Sequence, residues 1–244
     1  MKLFTLGTSH GATEIGRACS GNLIEVNGAY YLFDCGGDVE EKMTNLQLPI
    51  KDIRAVFITH MHEDHIGGLS AIVKRFLVYM KEKESVELYF PEQDGIIGFQ
   101  AWMKAMHMEI KESILSFFEV KQGEVYRDEN ITVTAIQTAH LMNGKFPSFS
   151  YMVETKDKKF LYTGDLAGDF HDYPKVLLNE KFDTVLSELV HFDVEKNLDT
   201  IMKTKTEHLI FTHMNLKKAE RVEEIINEFP FKVSIAQDGM CFEI

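Results

Sequence analysis

Cysteine is scarce in this chain. Only three of its 244 residues are cysteine, and Cys19, Cys35 and Cys241 are far apart and odd in number. Neither a disulfide framework nor a Cys-rich metal site is expected, and a reducing, cytoplasmic setting fits. Positive charge is also short. Twenty-six Lys and Arg against 38 Asp and Glu leave a formal net charge of −12. That disfavours a general binder of nucleic acid or anionic membranes, which needs a cationic surface. It does not exclude an anionic substrate, because bound metal ions dominate the field around them. No stretch is rich enough in Pro, Gly or Ser to read as a linker, and no low-complexity segment or short repeat is present. Met1 to Gly7 lacks the apolar core of a signal peptide, and no run is long enough to cross a membrane. The expectation is one α/β domain over residues 1–244, long enough to bury a sizeable core.

Histidine, by contrast, is concentrated. Thr59-His60-Met61-His62-Glu63-Asp64-His65-Ile66-Gly67-Gly68 packs four metal-capable side chains into six residues. Ala55 to Ile58 before it is apolar and β-branched and reads as a buried strand. Leu69, Ile72, Val73, Phe76, Leu77 and Met80 after it have helical spacing with one face buried. The cluster is therefore a strand-to-helix loop on a rigid scaffold, where chemistry is usually placed. His60 and His62 are close enough to share one cation, while Asp64 and His65 more naturally serve a second. Gly67 and Gly68 let the backbone turn tightly beside a ligand. A lone histidine here would read as a cap or loop residue; His-x-His-x-Asp-His between two core elements does not.

The rest of the chain is organised to meet that loop. Leu3 to Leu6 reads as a strand entering Gly7-Thr8-Ser9-His10-Gly11, which lacks the Gly-x-Gly-x-x-Gly of a phosphate cradle. Asn22 to Val26 and Tyr30 to Phe33 flank Asn27-Gly28, a strong hairpin signal. Asp34, at the end of the second of these strands, is expected to orient a metal-bound histidine or shape the turn. Val39 to Leu48 reads as a short helix and Val86 to Phe90 as a strand. Residues 94–118 read as a largely helical insert, either a helical pair packed on the core or a lid or dimer contact. Four apolar strands then end in Thr followed by His or Asp: Phe57-Ile58 before Thr59-His60, Ile131 to Ile136 before Thr138-Ala139-His140, Phe160 to Tyr162 before Thr163-Gly164-Asp165, and Leu209 to Phe211 before Thr212-His213. Ligand sites in α/β sheets lie beyond the carboxyl ends of strands, so these four ends are expected to converge. About one helix and a final hairpin fit after His213.

The ligand count then closes. His60, His62 and His140 make a three-nitrogen site, Asp64, His65 and His213 make a neighbour, and Asp165 can bridge them. Imidazole plus carboxylate suits two divalent ions, zinc first, manganese or iron otherwise, and the lack of thiolate argues against a structural zinc. Paired metals form a hydrolytic clamp.

This pattern resembles the metallo-β-lactamase-fold superfamily. His60-x-His62-x-Asp64-His65-x-Gly67-Gly68, His140, Asp165 and His213 match its dinuclear signature in order, and the likeness covers nearly the whole chain. It implies a four-layer αββα sandwich, two facing mixed sheets with helices outside and the metals at one edge. Zinc β-lactamases use a Cys ligand that is missing here. Flavodiiron reductases carry Glu where this chain has His62. The C-terminal helical domain of glyoxalase II has no room after His213. The Gly7-Thr8 loop and Ser187-Glu188-Leu189 look like the phosphodiesterase branch, that is ribonuclease Z and the small cyclic-phosphate phosphodiesterases. Bacterial ribonuclease Z carries a tRNA-gripping arm between the residues matching His140 and Asp165, and Leu141 to Gly164 holds only a loop and a hairpin. The Cys-rich zinc loop of the cyclic-phosphate enzyme of phosphonate breakdown is also missing.

The resemblance thus implies a dinuclear phosphodiesterase for a small phosphodiester or cyclic phosphate, acting through a hydroxide held between the metals. Asp64 is the expected ligand and base, and His191 a substrate-contacting donor or general acid, or else a strand-end cap. Glu188 is expected as an orienter, and His10 is a candidate for facing the site. Phe149, Ser150 and Tyr151 read as strand packing or pocket lining, and His107, His171 and His208 as structural. The partner expected is a small anionic molecule, with nucleic acid and membrane disfavoured and a homodimer left open. Other readings stand beside this one: a hydrolase of a lactone, thioester or sulfate ester on the same metals and, less favoured, a tRNA-processing ribonuclease or a metal-binding sensor without chemistry.

Overall fold

The computed structural model describes residues 1–80 and 85–244. They form two compact units, one of Met1–Gly7, Gly11–Val120 and Asp238–Glu243, the other of Thr8–His10, Lys121–Gln237 and Ile244. Each unit is built on a mixed sheet that is seven-stranded among the described residues.

In the first unit the strands are β1 (Lys2–Gly7), β2 (Gly21–Val26), β3 (Ala29–Phe33), β4 (Ile53–Phe57), β5 (Val86–Phe90), β6 (Leu115–Glu119) and, from the far end of the chain, β14 (Met240–Glu243). Their order across the sheet is β14-β1-β2-β3-β4-β5-β6. Val26 faces Ala29 across the two-residue turn, and Asn27 and Gly28 both take positive φ, 53° and 80°, as the Asn-Gly signal demands. From β3 to β6 the strands run parallel, so their carboxyl ends share one edge. Helices α1 (Val39–Asn45), α2 (Glu63–Ile66), α3 (Leu69–Lys74) and α4 (Gln93–Ala105) follow the strands. Val39 and Met43 of α1, Leu69, Ile72 and Val73 of α3, and Ile96, Phe99 and Met103 of α4 pack with Leu6, Leu23, Leu32, Val56 and Leu88 in one apolar core. Each such side chain is worth about 1.5–3 kcal/mol when fully buried. Past α3 the helix widens into a π turn over Arg75–Tyr79, which still buries Phe76.

The reading of residues 94–118 as largely helical is corrected. Helix ends at Ala105, and Leu115-Ser116-Phe117-Phe118-Glu119 is an edge strand pairing in parallel with β5. Aromatic and alternating side chains favour a pleated surface, and Phe118 stacks on Tyr89 of β5 at 5.1 Å between ring centroids.

In the second unit the strands are β7 (Gly123–Arg127), β8 (Thr132–Gln137), β9 (Phe149–Glu154), β10 (Lys159–Tyr162), β11 (Phe182–Glu188), β12 (Thr206–Thr212) and β13 (Lys232–Ile235), in the order β13-β12-β11-β10-β9-β8-β7. Helices α5 (Val176–Asn179), α6 (Val194–Ile201) and α7 (Leu216–Ile225) intervene. Leu177, Val194, Ile201, Ala219 and Val222 from these helices pack with Leu161, Val185, Leu209 and Phe211 of the strands. Because β9 runs antiparallel to both β8 and β10, β8 and β10 share a direction, and β11, β12 and β13 follow in parallel. Phe149, Ser150 and Tyr151 are buried strand residues of β9.

The expected final hairpin is also corrected. The α7 crossover returns the chain so that β13 lies parallel to β12, whereas β14 leaves for the other unit and pairs antiparallel with β1. Asp238 tethers that last passage, accepting from the Ala18 N–H at 2.6 Å and pairing with Lys42 Nζ at 2.9 Å.

Candidate metal centre

The first unit contributes the histidine-rich loop between β4 and α2. Asp34 follows β3 directly, in the left-handed region at φ 59°, and the parallel pairing of β3 with β4 brings it to Thr59. Its carboxylate accepts from the Thr59 N–H at 2.8 Å and from the Thr59 hydroxyl at 2.9 and 3.0 Å. Its Oδ2 also accepts from His65 Nδ1 at 2.7 Å. The hydroxyl proton is committed to the carboxylate, so Thr59 Oγ1 accepts from His60 Nδ1, 3.0 Å away. One fully buried carboxylate therefore engages Nδ1 of both imidazoles, directly for His65 and through Thr59 for His60, and turns each Nε2 away from these bonds. His65 Nε2 lies 3.5 Å from Asp64 Oδ2. The ring of His60 lies 4.1 Å from that of His65 and 4.6 Å from that of His62, between centroids. His62 is exposed and the other three are buried.

Glycine makes this packing feasible. A Cβ on Gly68 would lie 2.1 Å from the Gly36 carbonyl oxygen, and a Cβ on Gly36 would lie 2.1 Å from that of Asp64. Backbone bonds staple the loop to the end of β3, from Cys35 N–H to His65 O at 2.7 Å and from Gly68 N–H to Cys35 O at 2.9 Å.

The second unit gathers side chains from the carboxyl ends of β8, β10, β11 and β12. His140 Nδ1 donates to the Leu166 carbonyl at 3.2 Å, which again presents Nε2. That atom is 3.7 Å from Asp165 Oδ2, and His213 Nε2 is 3.4 Å from the same oxygen. Asp165, His191 and His213 each offer a ligand atom within 4.8 Å of the others. His191, expected as a donor rather than a ligand, thus stands beside Asp165, its Nδ1 3.7 Å from Oδ2. Glu188, expected as an orienter, is fully buried at the end of β11 and accepts from two loops. Its Oε2 accepts from the Val190 and His191 N–H groups at 2.6 and 3.0 Å, and its Oε1 from Leu166 N–H at 3.0 Å and His191 Nδ1 at 3.2 Å. Thr8 to His10 belongs to this unit, and the Thr8 carbonyl accepts from the Met214 N–H at 3.1 Å, so half-buried His10 sits on a segment tied to the residue after His213.

Two contributors escaped the sequence reading. Thr59 is a hydrogen-bond relay rather than a strand-end residue. Lys218 of α7 reaches over to donate from Nζ to the carbonyls of Val190 and Phe192, the latter at 2.6 Å, on either side of His191. Burial lowers its pKa. A single lysine on an amphipathic helix carries no signal for such a role. The structural reading of His208 agrees with its place in β12, where Nε2 meets Ser234 Oγ at 2.8 Å and burial depresses its pKa to about 4.

The donor set fits divalent ions. Two ligand atoms about 2.1 Å from one tetrahedral ion lie about 3.4 Å apart, which is the range of the 3.4, 3.5 and 3.7 Å spacings above. Thiolates do not compete. Burial raises the pKa of both buried cysteines, that of Cys19 to about 11 with a further push from Asp64.

The fold is the metallo-β-lactamase fold. The structure resembles the metallo-β-lactamase-fold protein YhfI of Bacillus subtilis, with a TM-score of 0.79 and 20% identity over 99% of each chain. It also resembles the short form of human tRNase Z, with a TM-score of 0.77 and 22% identity over 100% of this chain and 99% of that one. A family model described as anti-Pycsar protein Apyc1 matches residues 1–224, and the chain belongs to that family. In sequence it is 31% identical to ribonuclease Z of Brevibacillus brevis over 156 residues, which is 63% of this chain and 47% of that protein. The chain spans about half the length of the curated relatives it matches. The likeness to the ribonuclease Z-like branch therefore holds.

Proposed function

We propose that this protein is a metal-dependent hydrolase, and within that class a phosphodiesterase for a small phosphodiester or cyclic phosphate. His60, His62, Asp64, His65, His140, Asp165 and His213 are the residues proposed to hold two divalent ions, zinc first. The observation that carries the reading is the state of the imidazoles: His60, His65 and His140 each have Nδ1 engaged by an oxygen, which leaves Nε2 as a donor toward a cation.

When bound, such ions supply Lewis acidity and water of lowered pKa. Asp64 is buried and close to His65, which suits it to hold a metal and orient the attacking water or take its proton. His191, partly exposed and oriented by Glu188, is suited to donate to a phosphoryl or leaving oxygen. Glu188 keeps the His191 ring and the Asp165 loop in one register. Small size of substrate is supported by Leu141 to Gly164, which consists of a short loop and the β9–β10 hairpin with no room for a tRNA-gripping arm, and by the net charge of −12.

A second reading, processing of tRNA, is favoured by the relatives that bear the name ribonuclease Z. One panel separates the two. Purified protein is assayed with bis-p-nitrophenyl phosphate, cyclic nucleotides, a precursor tRNA, a lactone, a thioester and a cephalosporin, before and after chelation. Metal-restorable turnover of small phosphodiesters, with the tRNA untouched, is the expected result. Cleavage of the tRNA alone establishes the second reading. Turnover confined to the lactone or thioester removes phosphodiesters altogether.

A further inference from the structure

β8 and β10 deliver His140 and Asp165, yet they are not neighbours in the sheet, because β9 lies between them. Two strand spacings put their ends about 9.5 Å apart, with no backbone ladder joining them. His140 Nε2 and Asp165 Oδ2 are nevertheless 3.7 Å apart. Contacts beyond the sheet join the two loops.

Asp172 makes them. Its Oδ2 accepts from the N–H of Ala139, the residue before His140, at 2.7 Å. Its two oxygens accept from the N–H of Ala167, two residues after Asp165, at 3.0 and 3.1 Å. Leu166, between Asp165 and Ala167, is the residue whose carbonyl receives His140 Nδ1. The carboxylate thus closes a ring through both loops and the imidazole. Asp172 is itself held on both sides. Phe170 and Tyr173 are core residues whose rings stack at 4.5 Å, and Phe170 also packs on Phe192 at 4.4 Å. The Tyr173 hydroxyl meets Thr204 Oγ1 at 2.7 Å. The Ala139 bond joins residues 33 apart in sequence, so it is no local turn.

We infer that Asp172 is a positioning residue for the metal centre: a carboxylate that clamps the backbone of the His140 and Asp165 loops so that their donor atoms reach one ion. The inference rests on the metal reading above. It assigns Asp172 no contact with metal or substrate.

The test is zinc affinity by competition with a chromophoric chelator for the wild-type chain, Asp172→Ala and Asp172→Asn. Urea unfolding of the metal-free proteins and the absorption bands of the cobalt(II) forms are measured alongside. Asp172→Ala is expected to lower the affinity of the weaker-held ion about 10–100-fold, the usual effect of removing a group that supports a ligand, and to alter the cobalt(II) bands. Asp172→Asn, which keeps one acceptor oxygen for Ala139, should recover most of the affinity. A wild-type chain that takes up neither zinc nor manganese nor iron(II) overturns the metal reading and this inference together, and if manganese or iron(II) is taken up instead of zinc the same competition is run with that ion. Normal wild-type uptake with unchanged affinity and bands in Asp172→Ala overturns the inference alone. So does a loss of metal-free stability with the affinity of the folded fraction intact, because Asp172 is then only a loop brace.

Discussion

Replacing Asp34 by Asn tests the tautomer argument directly. The aspartate is fully buried and accepts three kinds of proton, from the Thr59 amide, the Thr59 hydroxyl and His65 Nδ1. Alanine would leave all three donors unsatisfied, at about 1–3 kcal/mol each. The sum approaches the whole stability of a typical domain, about 5–15 kcal/mol, so that variant confuses unfolding with metal loss. Asparagine keeps an acceptor for Thr59 and offers an NH2 group to His65. Donor would then face donor, and the imidazole escapes by moving its proton from Nδ1 to Nε2, which removes the lone pair a metal needs. The stability cost is one charge-assisted bond exchanged for neutral ones, about 1–2 kcal/mol. The affinity cost is expected at about 10–100-fold, or 1.4–2.7 kcal/mol. Chelator competition reads the second and urea unfolding of the metal-free protein the first. An Asp34→Asn protein that holds both ions as tightly as wild type refutes the relay from Asp34 to His65. One that is unfolded without metal refutes the energy comparison.

Three further outcomes are expected. His191→Ala should lower turnover of a phosphodiester with a poor leaving group by about 10²–10⁴-fold with metal content unchanged, and loss of an ion in elemental analysis would make His191 a ligand instead. Gly68→Ala forces a Cβ to within 2.1 Å of the Gly36 carbonyl oxygen, backbone against backbone, so thermal unfolding should report a loss of about 3 kcal/mol; an unchanged melting temperature means the loop has room to shift. His208 has its pKa depressed to about 4 by burial, against about 6.5 in an unfolded chain. Between these values the unfolded state binds the extra proton, so acidification from pH 7 to 4 should remove up to about 3 kcal/mol of stability. His208→Gln should abolish that part of the slope in urea titrations, and parallel wild-type and variant curves would reject it.

The legible parts of the sequence were those where local and long-range demands coincide. Ala55 to Ile58, Phe160 to Tyr162 and Leu209 to Phe211 are apolar because the strands are buried, and the threonine after each is buried as well, where the strand gives way to the loop that carries a candidate ligand. The order of the candidate ligands was visible because His and Asp are the side chains that divalent-metal chemistry would draw on. Asn27-Gly28 declared its turn by the positive φ it adopts. Other features depend on partners that periodicity cannot name. Leu115 to Glu119 has the apolar content of a helix, and only pairing with β5 makes it a strand. β14 finds its partner at the opposite end of the chain. Asp172 and Lys218 act on backbone atoms, which leaves no pattern in the identities of the residues they hold.

The pairing of β14 with β1 also bears on how the chain is made. Lys2 faces Glu243 in that ladder, so β1 is made long before the strand that pairs with it. During elongation the β1 edge offers its open row of amides and carbonyls to the surroundings, a template for pairing with other nascent chains. Stalled or truncated products lacking residues 240–243 should carry that open edge permanently, and quality-control factors that recognise exposed strands would meet this protein at β1 first.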